Sequence, residues 1–138
     1  MSLVTRSEFV TEARTWLDTP YQHQGRLKGI ACDCIGLLIE TGRALGLTEV
    51  QFTAYDKRPD GNLRPMLEQH LEFIPLAHAQ AGDVALFAWN SQPLHVAIFT
   101  DSNTIIHAYL PSRRVVENTI DDKWRALIAA AYHIPGIT

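Results

Sequence analysis

The sequence predicts an α+β domain in which helices come first and an antiparallel sheet follows. Two observations carry this. Apolar residues recur at helical spacing up to residue 45, and from residue 84 onward the period changes to short β-branched and aromatic runs separated by turn signals. Helices grouped before consecutive strands are the layout of an α+β fold.

The first helix is expected over residues 5–18. Thr5 and Glu8 form a capping-box pair, Phe9, Ala13, Trp16 and Leu17 mark one apolar face, and Pro20 stops the helix. A loop containing Pro20, Gly25 and Gly29 follows over residues 19–33. The second helix is expected over residues 34–45, with Ile35, Leu38, Ile39, Gly42 and Leu45 on one stripe and Gly46 as its stop. Residues 60–71 read as a short helix with Leu63, Met66, Leu67 and Leu71 inward, flanked by loops. Strands are expected over residues 84–89, 95–100, 104–109 and 113–118, with Asp101-Ser102-Asn103 as a turn. Residues 121–125 fit one helical turn. Residues 127–134 fit a helix or a strand, and a final strand is favoured because Pro135-Gly136 follows at once.

The 138 residues fit one domain able to bury its own core. A net charge of −3 argues against a nucleic-acid surface. No apolar run reaches membrane-spanning length, and the N-terminus lacks a signal pattern, so the expectation is a chain made in the cytoplasm. The two cysteines, Cys32 and Cys34, stand too close in the chain to pair without strain and read as free thiols.

Asp33-Cys34-Ile35-Gly36 places a cysteine where a loop turns into a helix. The field of a helix N-terminus favours the thiolate, which is the reactive form. A packed, inert thiol is the alternative. A nucleophilic thiol needs a base, and His95 and His107 lie in strands flanking the 101–103 turn. A hairpin centred at residue 101 sets 95 opposite 107, so the two imidazoles become neighbours, one as base and one as its orienter. Cys34, His95 and His107 are also a ligand set that zinc with an open position would accept, although no fourth ligand supports it. Of the other histidines, His23 borders the loop before Cys34, while His70, His78 and His133 read as surface or structural.

Five segments resemble the NlpC-type cell-wall cysteine peptidases, a papain-like family. They are Pro20-Tyr21-Gln22-His23-Gln24-Gly25, Asp33-Cys34-Ile35-Gly36, Ala81-Gly82-Asp83-Val84, His95-Val96-Ala97-Ile98 and Ile106-His107-Ala108, in the family order. The resemblance implies a papain-like fold with N-terminal helices packed on a C-terminal antiparallel sheet, and no cofactor or metal. It implies Cys34 as nucleophile, His95 as general base and then acid, and His107 as the residue orienting His95. It further implies Tyr21 lining the site and helping to hold the oxyanion, and Asp33 meeting a free substrate amine. The implied partner is a peptidoglycan stem peptide, often cut between D-glutamate and a diamino acid; the charge and the lack of a long apolar run lead to no expected nucleic-acid or membrane partner. Ile35 stands where the family usually has Ser, and Gln24-Gly25 where many members have two glycines. Pro-Tyr-x-His-Gln together with Asp-Cys-Ile-Gly-Leu is most similar to the phage and prophage branch, which implies phage tail proteins as further partners and action at the cell wall from a virion. A tail component that has lost catalysis, and an amidase or acyltransferase on the same fold, remain as alternatives.

Overall fold

The structure is a computed structural model that describes residues 3–47 and 63–138. Helix α1 (Arg6–Arg14) begins with the expected capping box: Thr5 Oγ1 accepts from the Glu8 N–H, and Glu8 accepts from the Thr5 N–H. It ends earlier than the apolar pattern suggests. Trp16 and Leu17 donate to Ala13 and Arg14, three residues back. This tighter winding rotates the face, so Trp16 stays buried while Leu17 is 38% exposed. The following chain runs along the sheet's edge, where Asp18 donates to Val115 and Tyr21 donates to Arg113.

The loop expected over residues 19–33 contains a small hairpin, β1 (Arg26–Leu27) with β2 (Ala31–Cys32), turning at Gly29, whose φ is +79°. Helix α2 (Cys34–Ala44) follows directly, and Gly46 at φ +81° closes its C-terminal end. Two glycines let hairpin and helix meet. A Cβ on Gly25 would lie 2.7 Å from backbone atoms of Ala31 and Cys32, and one on Gly36 would strike the Gly25 carbonyl oxygen.

Helix α3 (Leu63–His70) is the described part of the helix expected over residues 60–71; residues 60–62 lie outside the described residues. Leu67 and Leu71 are buried as the pattern requires. One flank departs from the expected loop: β3 (Glu72–Ile74) pairs along the last strand. Three residues, with Phe73 62% exposed, carry too little alternation for a strand to be read from sequence.

The strands β4 (Val84–Trp89), β5 (Gln92–Asp101), β6 (Thr104–Tyr109), β7 (Arg114–Thr119) and β8 (Ile128–His133) complete a six-stranded sheet in the order β3-β8-β4-β5-β6-β7. Every pairing is antiparallel. A single helical turn, α4 (Asp122–Arg125), precedes β8. Strand β5 starts three residues before the expected point, because Asn90 and Ser91, both with positive φ, close a two-residue turn onto Gln92.

The sheet has two packed faces. Val96, Ile98, Ile106 and Ala108 join Phe9, Ala13, Ile35, Leu38 and Ile39 of the helices in one core. The alternate residues Phe87, Ala97, Phe99 and Ile105 form a second core with Ile120, Trp89 and Trp124. Neighbouring residues of one strand therefore serve different layers. Helix α1 is clamped to the sheet through Arg6, whose Nη1 donates to Asp83 Oδ1 at 2.8 Å and to the Ala81 carbonyl at 2.9 Å. Asp83 is 1% exposed and also accepts from the Gln80 N–H, with His133 Nδ1 at 3.1 Å. The Ala81-Gly82-Asp83 segment is thus the anchor of the N-terminal helix.

Removing a buried charge's partner costs far more than losing a surface pair. Arg6→Ala, which leaves the buried Asp83 carboxylate without its guanidinium, should lower the unfolding free energy by about 2–4 kcal/mol, read as a drop in the urea midpoint with unchanged slope. A midpoint within error of wild type would mean that the clamp contributes nothing.

Candidate active site

Asp33 is the N-cap of α2 and only 2% exposed. Its Oδ1 accepts from the Gly36 N–H at 2.7 Å, and its Oδ2 accepts from the Gln24 N–H at 2.6 Å. One carboxylate therefore ties the Tyr21–Gly25 segment to the helix tip. His23 Nδ1 lies 3.8 Å from the same Oδ2. Both oxygens are thus engaged by backbone, so a substrate amine at Asp33 would compete with these bonds.

Cys34 is the first residue of the helix. Backbone N–H groups of Val96, Ile35 and Cys34 itself face its sulfur. Burial pushes the thiol up to about 12, the neighbouring Asp33 carboxylate pushes the same way, and the N–H groups only partly offset them. The thiolate expected from the helix tip is thus outweighed: in the free protein the thiol holds its proton, although the residue retains some exposure. Cys32 is fully buried, and its Sγ bonds the Asp33 carbonyl, in keeping with a packed thiol. Tyr21 is half-buried and bridges to Cys32. Its hydroxyl is pushed well up by burial and by the nearby Cys34 and Asp33, which puts it in the surroundings of Cys34.

Val96, which touches the sulfur, directly follows His95. His95 Nε2 lies 2.7 Å from His107 Nδ1. The pair meets by a different register from the one expected. Strands β5 and β6 pair Ile98 with Ile106 and Phe99 with Ile105, then shift before Asp101 and Thr104. Carried along the strands, this sets His107 against residue 97, not 95. A slip of two residues preserves the face, so the imidazoles meet as diagonal neighbours. Among the described residues, no hydrogen bond joins the Cys34 sulfur to the His95 ring, and no three such side chains are spaced to hold a metal ion.

The imidazoles sit in the second, aromatic core. Tyr109 stacks on His107 with centroids 5.0 Å apart, and the edge of Trp124 meets the same ring at 5.5 Å. Phe87 and Tyr109 flank His95, each at 5.9 Å. His95 is 8% exposed and His107 fully buried. Burial holds His95 well below the usual imidazole range, helped by its neighbour His107, and burial lowers His107 too. Both rings are neutral at pH 7. One further partner escaped the sequence reading: Asn118 Oδ1 lies 2.9 Å from His107 Nε2. A polar residue near the end of an exposed strand gives no signal of this kind. The half-buried Trp89, Tyr109 and Trp124 escaped it as well, since an aromatic residue in a strand or a short helical turn reads as ordinary core.

The NlpC/P60 family profile matches residues 18–131. No curated protein sequence matches the chain significantly. Among solved structures, an NlpC/P60 family protein from Bacillus cereus superposes with a TM-score of 0.75 at 20% identity, over 96% of this chain and 41% of that one. This chain thus spans less than half of that relative's length. The NlpC/p60 domain of the peptidoglycan hydrolase SagA superposes with a TM-score of 0.71 at 24% identity, over 95% of this chain and 100% of the domain. The peptidoglycan hydrolase RipB from Mycobacterium tuberculosis gives 0.66 at 18% identity, over 94% of this chain and 64% of that one. These likenesses bear out the papain-like α+β fold, and the profile, matched over most of the sequence, shows that the chain belongs to the NlpC/P60 family.

Proposed function

We propose that this chain is a cysteine peptidase acting on peptidoglycan stem peptides, at the bond between D-glutamate and a diamino acid. The observation that carries the reading is the hydrogen-bonded His95–His107 pair lying one residue from the backbone N–H that touches the Cys34 sulfur. Family membership and the likeness to domains of two peptidoglycan hydrolases support it. The phage-like form of the Tyr21 and Cys34 segments supports delivery to the wall by a phage or prophage particle.

The chemistry follows from the protonation states. A neutral imidazole carries a lone pair, so His95 takes the Cys34 proton as sulfur attacks the amide carbon. The S–C bond forms, and the carbonyl oxygen gains charge facing the Cys34 N–H at the helix tip, with Tyr21 beside it. As the C–N bond breaks, the His95 imidazolium gives its proton to the departing amine. Its depressed pKa makes it a strong acid for that step. Water then attacks the thioester, passing a proton to His95, and the proton returns to sulfur as the C–S bond breaks.

Mass spectrometry of muropeptides after incubation with the protein tests the reading. New peptides ending in D-glutamate are expected with wild type. Cys34→Ala should cut their release at least about a thousandfold, and His107→Ala by about a hundredfold. Undiminished release by Cys34→Ala would remove the cysteine mechanism. The protonated resting thiol has its own consequence. Alkylation of Cys34 by iodoacetamide should quicken roughly tenfold per pH unit between about pH 6 and 9. A rate already level in that range would mean a preformed thiolate.

A further inference from the structure

We infer that Asn118 is a positioning residue that decides which nitrogen of His95 is free to accept a proton. The inference takes its catalytic meaning from the peptidase reading above, while the hydrogen-bond order itself stands on geometry. Three adjacent strands contribute one residue each: His95 from β5, His107 from β6 and Asn118 from β7. In the β6–β7 ladder His107 pairs with Val116 and Ile105 with Asn118, so Asn118 lies diagonally from His107 on the same face. The three side chains form one hydrogen-bonded line across the sheet, 2.7 Å and 2.9 Å per step.

The order of donors in that line is fixed from its outer end. An amide oxygen only accepts, so the proton of His107 must sit on Nε2, facing Asn118 Oδ1. A neutral imidazole has one N–H and one lone pair, so His107 Nδ1 accepts. His95 Nε2 must then donate to it. This leaves the lone pair of His95 on Nδ1, the nitrogen outside the pair. The opposite amide orientation would reverse every bond. Asn118 would donate, His107 Nδ1 would carry the proton, and His95 would be an Nδ1–H tautomer with no base to offer a thiol.

The order matters because both rings are neutral. An imidazolium donates from both nitrogens and needs no orientation, whereas neutral imidazole exists in two tautomers that differ little in energy without a partner. Burial among Phe87, Tyr109 and Trp124 removes water that would otherwise supply mixed partners. Asn118 itself lies exposed at the outer end of the line, so its side chain can be changed without disturbing the core.

Nitrogen-15 NMR of the histidine side chains reads the tautomers directly. It is measured near pH 8, where imidazoles with ordinary or lowered pKa values are neutral, on wild type, Asn118→Asp and Asn118→Leu. Wild type should show His95 and His107 both as Nε2–H. Asn118→Asp, whose carboxylate can only accept, should keep that pattern and most of the turnover. Asn118→Leu should give mixed tautomers at both rings and a fall in kcat of at least about tenfold with little change in KM. An Nδ1–H form of His95 in wild type would overturn the inference, as would unchanged tautomers in Asn118→Leu, with or without a loss of kcat. Should wild type cut no peptidoglycan, the spectra still decide the hydrogen-bond order, and only the peptidase reading falls.

Discussion

A buried carboxylate holds the candidate nucleophile where it stands. Asp33 accepts from Gln24 with one oxygen and from Gly36 with the other, so the loop carrying Tyr21 and the helix carrying Cys34 cannot move separately. The Gly25–Gly36 contact, open only to residues without a Cβ, brings them close enough for both bonds to form. Helix α2 in turn packs Ile35, Leu38 and Ile39 against Val96 and Ile98 of β5, which fixes the helix tip beside the His95–Val96 peptide. Positioning and reactivity pull in opposite directions here. A negative group next to a thiol opposes its ionisation, and Asp33 does so while it caps the helix. Local order is secured at the expense of thiol acidity.

That trade is coherent with the aromatic side of the sheet. Phe87, Tyr109 and Trp124 surround the imidazoles and keep them uncharged. A thiolate–imidazolium pair at rest would need both groups charged in a poorly hydrated place, where the cost of desolvation is greatest. On the peptidase reading, a neutral thiol served by a neutral, oriented imidazole avoids that cost and leaves charge to develop only as the carbonyl is attacked. On that reading orientation carries the weight that charge carries elsewhere, which is the part proposed for the line of hydrogen bonds running out to Asn118.

The parts of this arrangement that were legible in the sequence are those set by local rules. Thr5 and Glu8 announced the start of α1, and the Asp33-Cys34 junction announced α2. Pairing residues 95–100 with 104–109 across the 101–103 turn put both histidines on one face. Face is robust because a slip of two residues preserves it, and the observed register does differ by two from a turn centred at residue 101. What escaped depends on distant partners. Strand β3 exists because β8 offers it an edge, the β1–β2 hairpin because Gly25 can touch Cys32, and the role of Asn118 because β7 lies beside β6. The acidity of Cys34 is not legible for the same reason. The helix field is local, while the burial that outweighs it is a property of the folded packing around the thiol.

The two departures from the family pattern become intelligible on the same footing. Ile35, where Ser is usual, is 2% exposed and packs in the core between α2 and the sheet. An apolar side chain there alters packing and leaves the face presented by Cys34 untouched. Gln24, where glycine is common, holds φ at +61°, a conformation that costs a side-chain-bearing residue about 1 kcal/mol. The conformation is kept because it aims the Gln24 N–H at Asp33, and a charge-assisted bond of 2.6 Å contributes more than the strain takes away. What that position requires is a backbone N–H at one place in space. Glycine meets the requirement without strain, and glutamine meets it here because the carboxylate holds it.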